Sequence, residues 1–263
     1  MPCHAITYII KQWTDFGGRS IKLIYIASDH EVERIRFMES WLAGLSLTWE
    51  RLTGVSVDRI ETVPEYDRQR RVRKFGYDLG TGEVGCFLAH RASWVFASQS
   101  SEAVVILESD VAPVDLDRFS NALTELCRID TDWDIVRLHG IFPKNELVSR
   151  KVRRLDAGEI MSQTLGDPMG AGAYLVTPRA AATLLACSEN FHVPVDVFLS
   201  QTWLHRLRFR TVSPYLFQVE KFESEIGKRR RPKQSMWARL RIEYSRAADD
   251  IRRLAYLPWH FLK

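Results

Sequence analysis

The sequence predicts an α/β protein, and three observations carry that expectation. Residues 21–26 (IKLIYI) and 104–107 (VVIL) are short, β-branched-rich runs with the composition of buried strands. The first is followed by apolar residues at helical spacing, Val32, Ile35, Met38, Trp41 and Leu42. A second strand-like run over residues 47–55 then completes the strand, helix, strand order of a βαβ unit. At 263 residues and 46% hydrophobic composition, the chain suits one large α/β domain, or one domain with an appendage.

In chain order, the first strand is flanked by Gly17-Gly18 and by Ser28-Asp29, which suit the start of a helix whose first turn holds Glu31 and Glu33. That helix ends near Gly44. Residues 64–80 read as irregular, with Arg68, Arg70, Arg71, Arg73 and Lys74 set among Tyr66, Phe75 and Tyr77. Such a segment is a solvated loop, a clamp for a nucleotide diphosphate, or a contact for nucleic acid. A helix from Thr81 carries Val84, Phe87, Leu88, Ala92 and Val95. The strand to Glu108 follows, then a helix over 115–127 and a short strand over 134–138. Residues 144–166 give no clear pattern and read as an excursion. A glycine-led strand over 170–176 precedes a helix that Pro178 starts. A helix over 194–205 and a last strand over 208–219 complete the body.

Net charge is +4 but unevenly spread. Residues 228–263 hold 11 Lys and Arg against 3 acidic residues, while the other 227 residues hold 26 against 30. This divides the chain into an N-terminal extension (1–20), a body (21–227) and a basic tail (228–263). In the tail, Trp237, Leu240, Tyr244, Ala247, Ile251 and Leu254 share one helical face, with arginines largely on the others. Such a basic amphipathic helix either lies on an anionic membrane surface or packs its stripe on the protein's own body. No run approaches the roughly 20 apolar residues of a membrane span, and residues 5–10 are too short for a secretion signal. A cytoplasmic protein is expected, peripheral on the inner face of the plasma membrane if the tail binds lipid. Cys3, Cys86, Cys127 and Cys187 are scattered without metal or disulfide spacing, and Cys86 and Cys127 read as small core hydrophobes.

The residues that carry chemistry end the central strand. In extended chain Glu108 and Asp110 point to the same side, at the carboxyl edge where open α/β sheets bind ligands. Two hard anionic oxygens there make either a magnesium or manganese site or an ordinary polar turn. Glu83 and His90 lie two helical turns apart and share a face. Glu83 is then a ribose or donor-sugar contact or a first-turn acid, and His90 a carboxylate-orienting group or a satisfied core histidine.

Four segments in order resemble glycosyltransferase family 25, whose members build bacterial lipopolysaccharide and include collagen galactosyltransferases. Residues 82–90 (GEVGCFLAH) resemble its GEIGC-x-LSH block, and 106–111 (ILESDV) its LEDDV block. Residues 172–177 resemble the strand before its GA-x-x-LL helix, represented here by 181–185, and Pro194-Val195-Asp196 resembles its PVD element. There are two departures. The opening strand ends in Ala27-Ser28-Asp29-His30 where the family has an Asn-Leu-Asp-Arg-like turn, although Arg34 matches a later basic position. Ser109 stands where the family usually has Asp.

The resemblance implies a GT-A-type, Rossmann-like mixed sheet flanked by helices. It implies inverting transfer from a UDP-sugar, galactose favoured, to an oligosaccharide or lipid-linked glycan acceptor, with Mn2+ or Mg2+. Asp110 is then the direct metal ligand, and Glu108 a second ligand or a ribose contact. Ala27, Arg34, Glu83, Glu108 and Ser109 are the donor-binding candidates. Asp196 is the candidate general base, or else a carboxylate at a helix N-terminus, and Glu220, Glu223 and Glu225 are alternative bases or acceptor contacts. The competing classes are a non-catalytic relative that binds nucleotide sugar or a partner, and a nucleic-acid binder. The acidic body and the lack of a nucleic-acid motif argue against the latter, so no nucleic acid is expected.

Overall fold

The computed structural model describes residues 23–45, 47–129, 132–141, 149–156, 158–164, 169–220, 222 and 236–261. The N-terminal extension and residues 223–235 lie outside them, and with them Glu223 and Glu225. Strand β1 (Leu23–Ala27), helix α1 (Val32–Leu42) and β2 (Trp49–Thr53) form the predicted βαβ unit, with β1 and β2 parallel. Then come α2 (Arg68–Phe75), α3 (Thr81–Gln99), β3 (Val104–Glu108), β4 (Val111–Pro113), α4 (Leu116–Arg128) and β5 (Ile135–Arg137). Strands β6 (Ser149–Arg154), β7 (Ile160–Thr164) and β8 (Ala173–Val176) precede α5 (Pro178–Cys187), α6 (Val195–Leu199) and α7 (Thr202–His205). Strands β9 (Phe209–Ser213) and β10 (Phe217–Val219) and the tail helix α8 (Met236–Phe261) close the chain.

Eight strands form one mixed sheet in the order β2-β1-β3-β8-β5-β9-β7-β6. Side-chain alternation splits its core in two. Ile24, Val104 and Ile106 face a layer containing α3, α5 and α6, while Tyr25, Val105 and Leu107 face a layer containing α1 and α4. β1 and β3 run parallel with Ile26 opposite Glu108, so both end at the same edge of the sheet. This is the Rossmann-like mixed sheet flanked by helices that the resemblance implied.

Four readings are corrected. Residues 68–75 are helical, not irregular. Asp67 caps the helix by accepting from the Arg70 N–H (2.9 Å), and Gly76 ends it at φ 75°. Three of its cations are structural, while Arg70 and Arg73 are exposed. Arg71 is buried between the Phe75 and Tyr77 rings (4.3 and 4.7 Å), Arg68 pairs with Asp78 (2.8 Å) and Lys74 with Asp249 (2.6 Å). Residues 149–164 form the β6–β7 hairpin rather than an excursion. β6 is a fully exposed edge strand with Arg150, Lys151, Arg153 and Arg154, charges that discourage edge-to-edge pairing. The last strand is two, since Pro214 lacks the N–H a ladder needs and β10 turns away to pair with β4. The helix over 194–205 is likewise two short helices, α6 and α7.

The tail is helical, but the predicted stripe from Leu240 to Leu254 does not pack on the body; the Trp237 side chain lies outside what the structure describes. Ile242 and Ser245 are buried, and the Ser245 hydroxyl donates to the Lys74 carbonyl (3.2 Å). Leu240, Tyr244, Ile251 and Leu254 face outward. Among the described residues, no helix is long and apolar enough to cross a membrane.

Candidate active site

The carboxyl ends of β1 and β3, the loop after β2 and the first turns of α3 enclose a cleft of about 280 Å³. Glu108, Ser109 and Asp110 line it together with Glu31, Arg34, Cys86 and His90. Two glycines permit this closeness. A Cβ at Gly85 would overlap the Val55 carbonyl oxygen, so α3 meets the β2 loop only because position 85 has no side chain. A Cβ at Gly172 would sit 2.9 Å from Val111 Cγ1 and 3.2 Å from His139 Nδ1, while the Gly172 carbonyl accepts from the Glu108 N–H (2.8 Å). Gly85→Ala is expected to destabilise the fold by about 1–3 kcal/mol through overpacking against backbone. Urea unfolding checks it, and an unchanged midpoint would mean that α3 shifts freely.

A buried chain of hydrogen bonds holds Glu108. The indole N–H of Trp94 can only donate, and it does so to the Tyr174 hydroxyl oxygen (2.8 Å). The ionised Glu108 carboxylate can only accept, so the imidazole proton of His90 sits on Nε2 facing Oε1 (3.2 Å), and Nδ1 is left to accept the Tyr174 hydroxyl hydrogen (2.8 Å). His90 is therefore both a satisfied core histidine and a carboxylate-orienting group. The Cys86 thiol donates to the same oxygen (3.7 Å), so Cys86 is a cleft residue rather than simply a core hydrophobe. Burial alone would push the Glu108 carboxyl up, but the bonds from His90 and Cys86 outweigh it and hold the group below its usual range.

Asp110 differs. Burial and the negative charge of Glu108 push its carboxyl up to about 6. Its Oδ1 is buried with no hydrogen-bond partner among the described residues. Arg34 approaches Oδ2 (3.9 Å), as well as Glu31 Oε1 (3.3 Å) and the Ser109 hydroxyl (3.5 Å). Ser109 in turn donates to Glu31 Oε1 (3.2 Å), and the Ser28 N–H donates to Oε2 (2.6 Å). An Asp at 109 would face Glu31 with like charge, whereas Ser donates to it. Glu31 thus adds a carboxylate to the cleft beside Ser109. The reading of Glu31 as a first-turn helix residue missed this.

These features fit a divalent cation. Two carboxylates repel each other beside an unpartnered oxygen, and hard oxygens suit manganese or magnesium. Cys86 Sγ, His90 Nε2 and a Glu108 oxygen also lie within 4.8 Å of one another. Burial, followed by the charges of Glu108 and Asp196, pushes the Cys86 thiol up, so it stays protonated and acts as a donor.

The other predicted residues are placed differently. The Ala27 side chain faces the opposite core layer, as alternation requires, while its neighbours Ile26 and Ser28 line the cleft. Glu83 is not among the lining residues. Its Oε2 accepts from the Gly80 N–H (2.9 Å) at the start of α3. Asp196 lies in the first turn of α6, where Oδ1 accepts from the Val197 N–H (2.8 Å). Its backbone carbonyl takes the Ser200 hydroxyl (3.1 Å) and a long contact from buried Arg137 (3.4 Å). Glu220 follows β10, and its N–H donates to the Asp110 carbonyl (2.7 Å). His139, missed in the sequence, lies beside Glu108 across Gly172 with Nδ1 buried and unpartnered among the described residues. Its place just past β5, at a strand's carboxyl end, was the available signal.

A family model described as glycosyltransferase family 25 (LPS biosynthesis protein) matches residues 22–199. A curated protein of Anopheles gambiae, "Glycosyltransferase 25 family member", is 23% identical over 250 residues. That match takes in 81% of this chain, which spans 40% of the relative's length. The matched segment holds β1, α3, β3 and α6, and with them Glu31, Arg34, Cys86, His90, Glu108, Asp110 and Asp196. By that match the chain belongs to glycosyltransferase family 25.

Proposed function

We propose that this chain transfers a sugar, galactose favoured, from a UDP-sugar to a glycan acceptor of a bacterial surface polysaccharide or lipopolysaccharide, inverting the anomeric centre. The observation that supports this best is the unpartnered, buried Asp110 oxygen beside Glu108 in the cleft at the sheet's carboxyl edge. Glu108 and Asp110 would hold manganese or magnesium. When bound, such an ion supplies positive charge against the departing diphosphate. His90 keeps Glu108 ionised and aimed, and the Glu31–Ser109–Arg34 group closes the donor side of the cleft. Asp196 accepts the proton of the attacking acceptor hydroxyl. Glu220 is a second reading for that base, favoured by its backbone bond to Asp110.

UDP release from a panel of UDP-sugars, with and without manganese, tests this reading. Manganese-dependent release with one donor is expected. Donor binding without release from any donor would favour the non-catalytic relative instead.

The Asp110 carboxyl also predicts how manganese binding varies with pH. Ionised at about pH 7.5 but largely protonated at about pH 5, it should let manganese raise the melting temperature several degrees at the higher pH and little at the lower. Equal shifts at both would remove Asp110 from the ligand set.

A further inference from the structure

Helix α8 meets the body with a largely polar face that buries Ile242, and turns its long apolar stripe to solvent. Ile242, Ser245 and Asp249 pack towards α2, and the Arg253 guanidinium lies 5.5 Å over the Trp203 ring of α7. At about 100° per residue, Met236, Leu240, Tyr244, Ala247, Ile251 and Leu254 fall within an arc of roughly 80°, almost opposite that packed face. The five large side chains among them are 55–76% exposed. The stripe runs for roughly 27 Å. A continuous apolar strip of this kind is uncommon on a surface with no partner.

We propose that α8 docks the protein on an anionic lipid surface, with this stripe in the interfacial layer and the flanking arginines against headgroup phosphates. Charge complementarity selects this occupant. Arg241 and Arg252 are exposed beyond one margin of the stripe, Arg252 also pairing with Asp249 (3.0 Å), and Arg239 is exposed on the other. Glu243 and Asp250 lie between the stripe and Arg239, so attraction is strongest on the Arg241–Arg252 side. In sequence, five further Lys and Arg residues fall between 228 and 233, directly before the helix, and the rest of the chain is net acidic. A helix with an apolar stripe, cationic margins and a polybasic neighbour has the make-up of an interfacial anchor. A second copy laid antiparallel on the same face would set its Arg241–Arg252 margin against this one.

The docking stands apart from sugar transfer and is measured without donor or metal. Full-length chain is sedimented with vesicles of phosphatidylcholine alone and with vesicles of equal parts phosphatidylcholine and phosphatidylglycerol. Binding to the anionic vesicles is expected to be at least about tenfold stronger, and Leu240→Glu combined with Ile251→Glu to lower it at least about tenfold. Both positions are exposed, and an unchanged melting temperature checks the fold of the double variant. Independently, Arg241→Gln with Arg252→Gln is expected to reduce the preference for phosphatidylglycerol while keeping the fold. Equal binding by wild type and both variants would overturn the proposal. So would a wild-type dimer in sedimentation velocity that ignores vesicles and becomes monomeric in Leu240→Glu/Ile251→Glu, which would give the stripe to a second copy.

Discussion

Asp110→Asn is expected to lower manganese-dependent transfer by at least about a hundredfold, because it removes the charge of a ligand that faces the cleft. The same change should stabilise the metal-free protein. Burial and Glu108 raise the Asp110 carboxyl from 3.8 to about 6, so the folded state holds its proton more tightly than the unfolded chain. Below about pH 4 the group is protonated in both states and carries no penalty. The penalty grows as pH rises towards 6 and is constant above it. Allowing for partial solvent exposure, the asparagine should gain about 1–2 kcal/mol near pH 7.5, a gain that fades as pH falls below 6. Chemical denaturation at the two pH values, read beside UDP release, checks both halves. Wild-type rates in saturating manganese would refute the ligand role.

Asp196→Asn is expected to reduce transfer by about 10²–10⁴-fold, the usual worth of a general base, with donor binding preserved. The isosteric amide keeps an oxygen to accept the Val197 N–H, so α6 should still form. Glu220→Gln is the control. If that variant loses transfer and Asp196→Asn does not, the proton passes through the residue after β10. Calorimetry in which Asp196→Asn abolishes donor binding would make Asp196 a donor contact.

Where a segment has an apolar period, its structure was legible in the sequence. The βαβ unit, α3 and β3 each bury a face, and that burial is what periodicity records. Helix α2 and the β6–β7 hairpin carry charge where a stripe would be. Their order comes instead from the Asp67 cap, the Arg71 stack and pairing to β9, none of which leaves a repeat. The acid pair at 108 and 110 was legible from its place at the end of the strand, but not through alternation: residues 109–110 form a turn, and Ser109 lines the cleft together with both acids. Glu31 was not, since the same residue satisfies the rules for a helix start and only tertiary packing sets it against Ser109. Alternation does explain Ala27. The end of β1 and the loop after it meet the cleft through Ile26 and Ser28, one position to either side.

Helix α3 forms one wall of the cleft and, through Phe87 and Trp94, part of the deep core on the same stretch of chain. The two connections after β1 and β2, residues 28–31 and 54–57, supply another part of its lining. The two parts therefore differ in how freely evolution can rewrite them. A lineage selected for a new donor should gather its changes at 28–31 and 54–57 and leave 85–94 nearly fixed, because each change on the helix side also taxes folding.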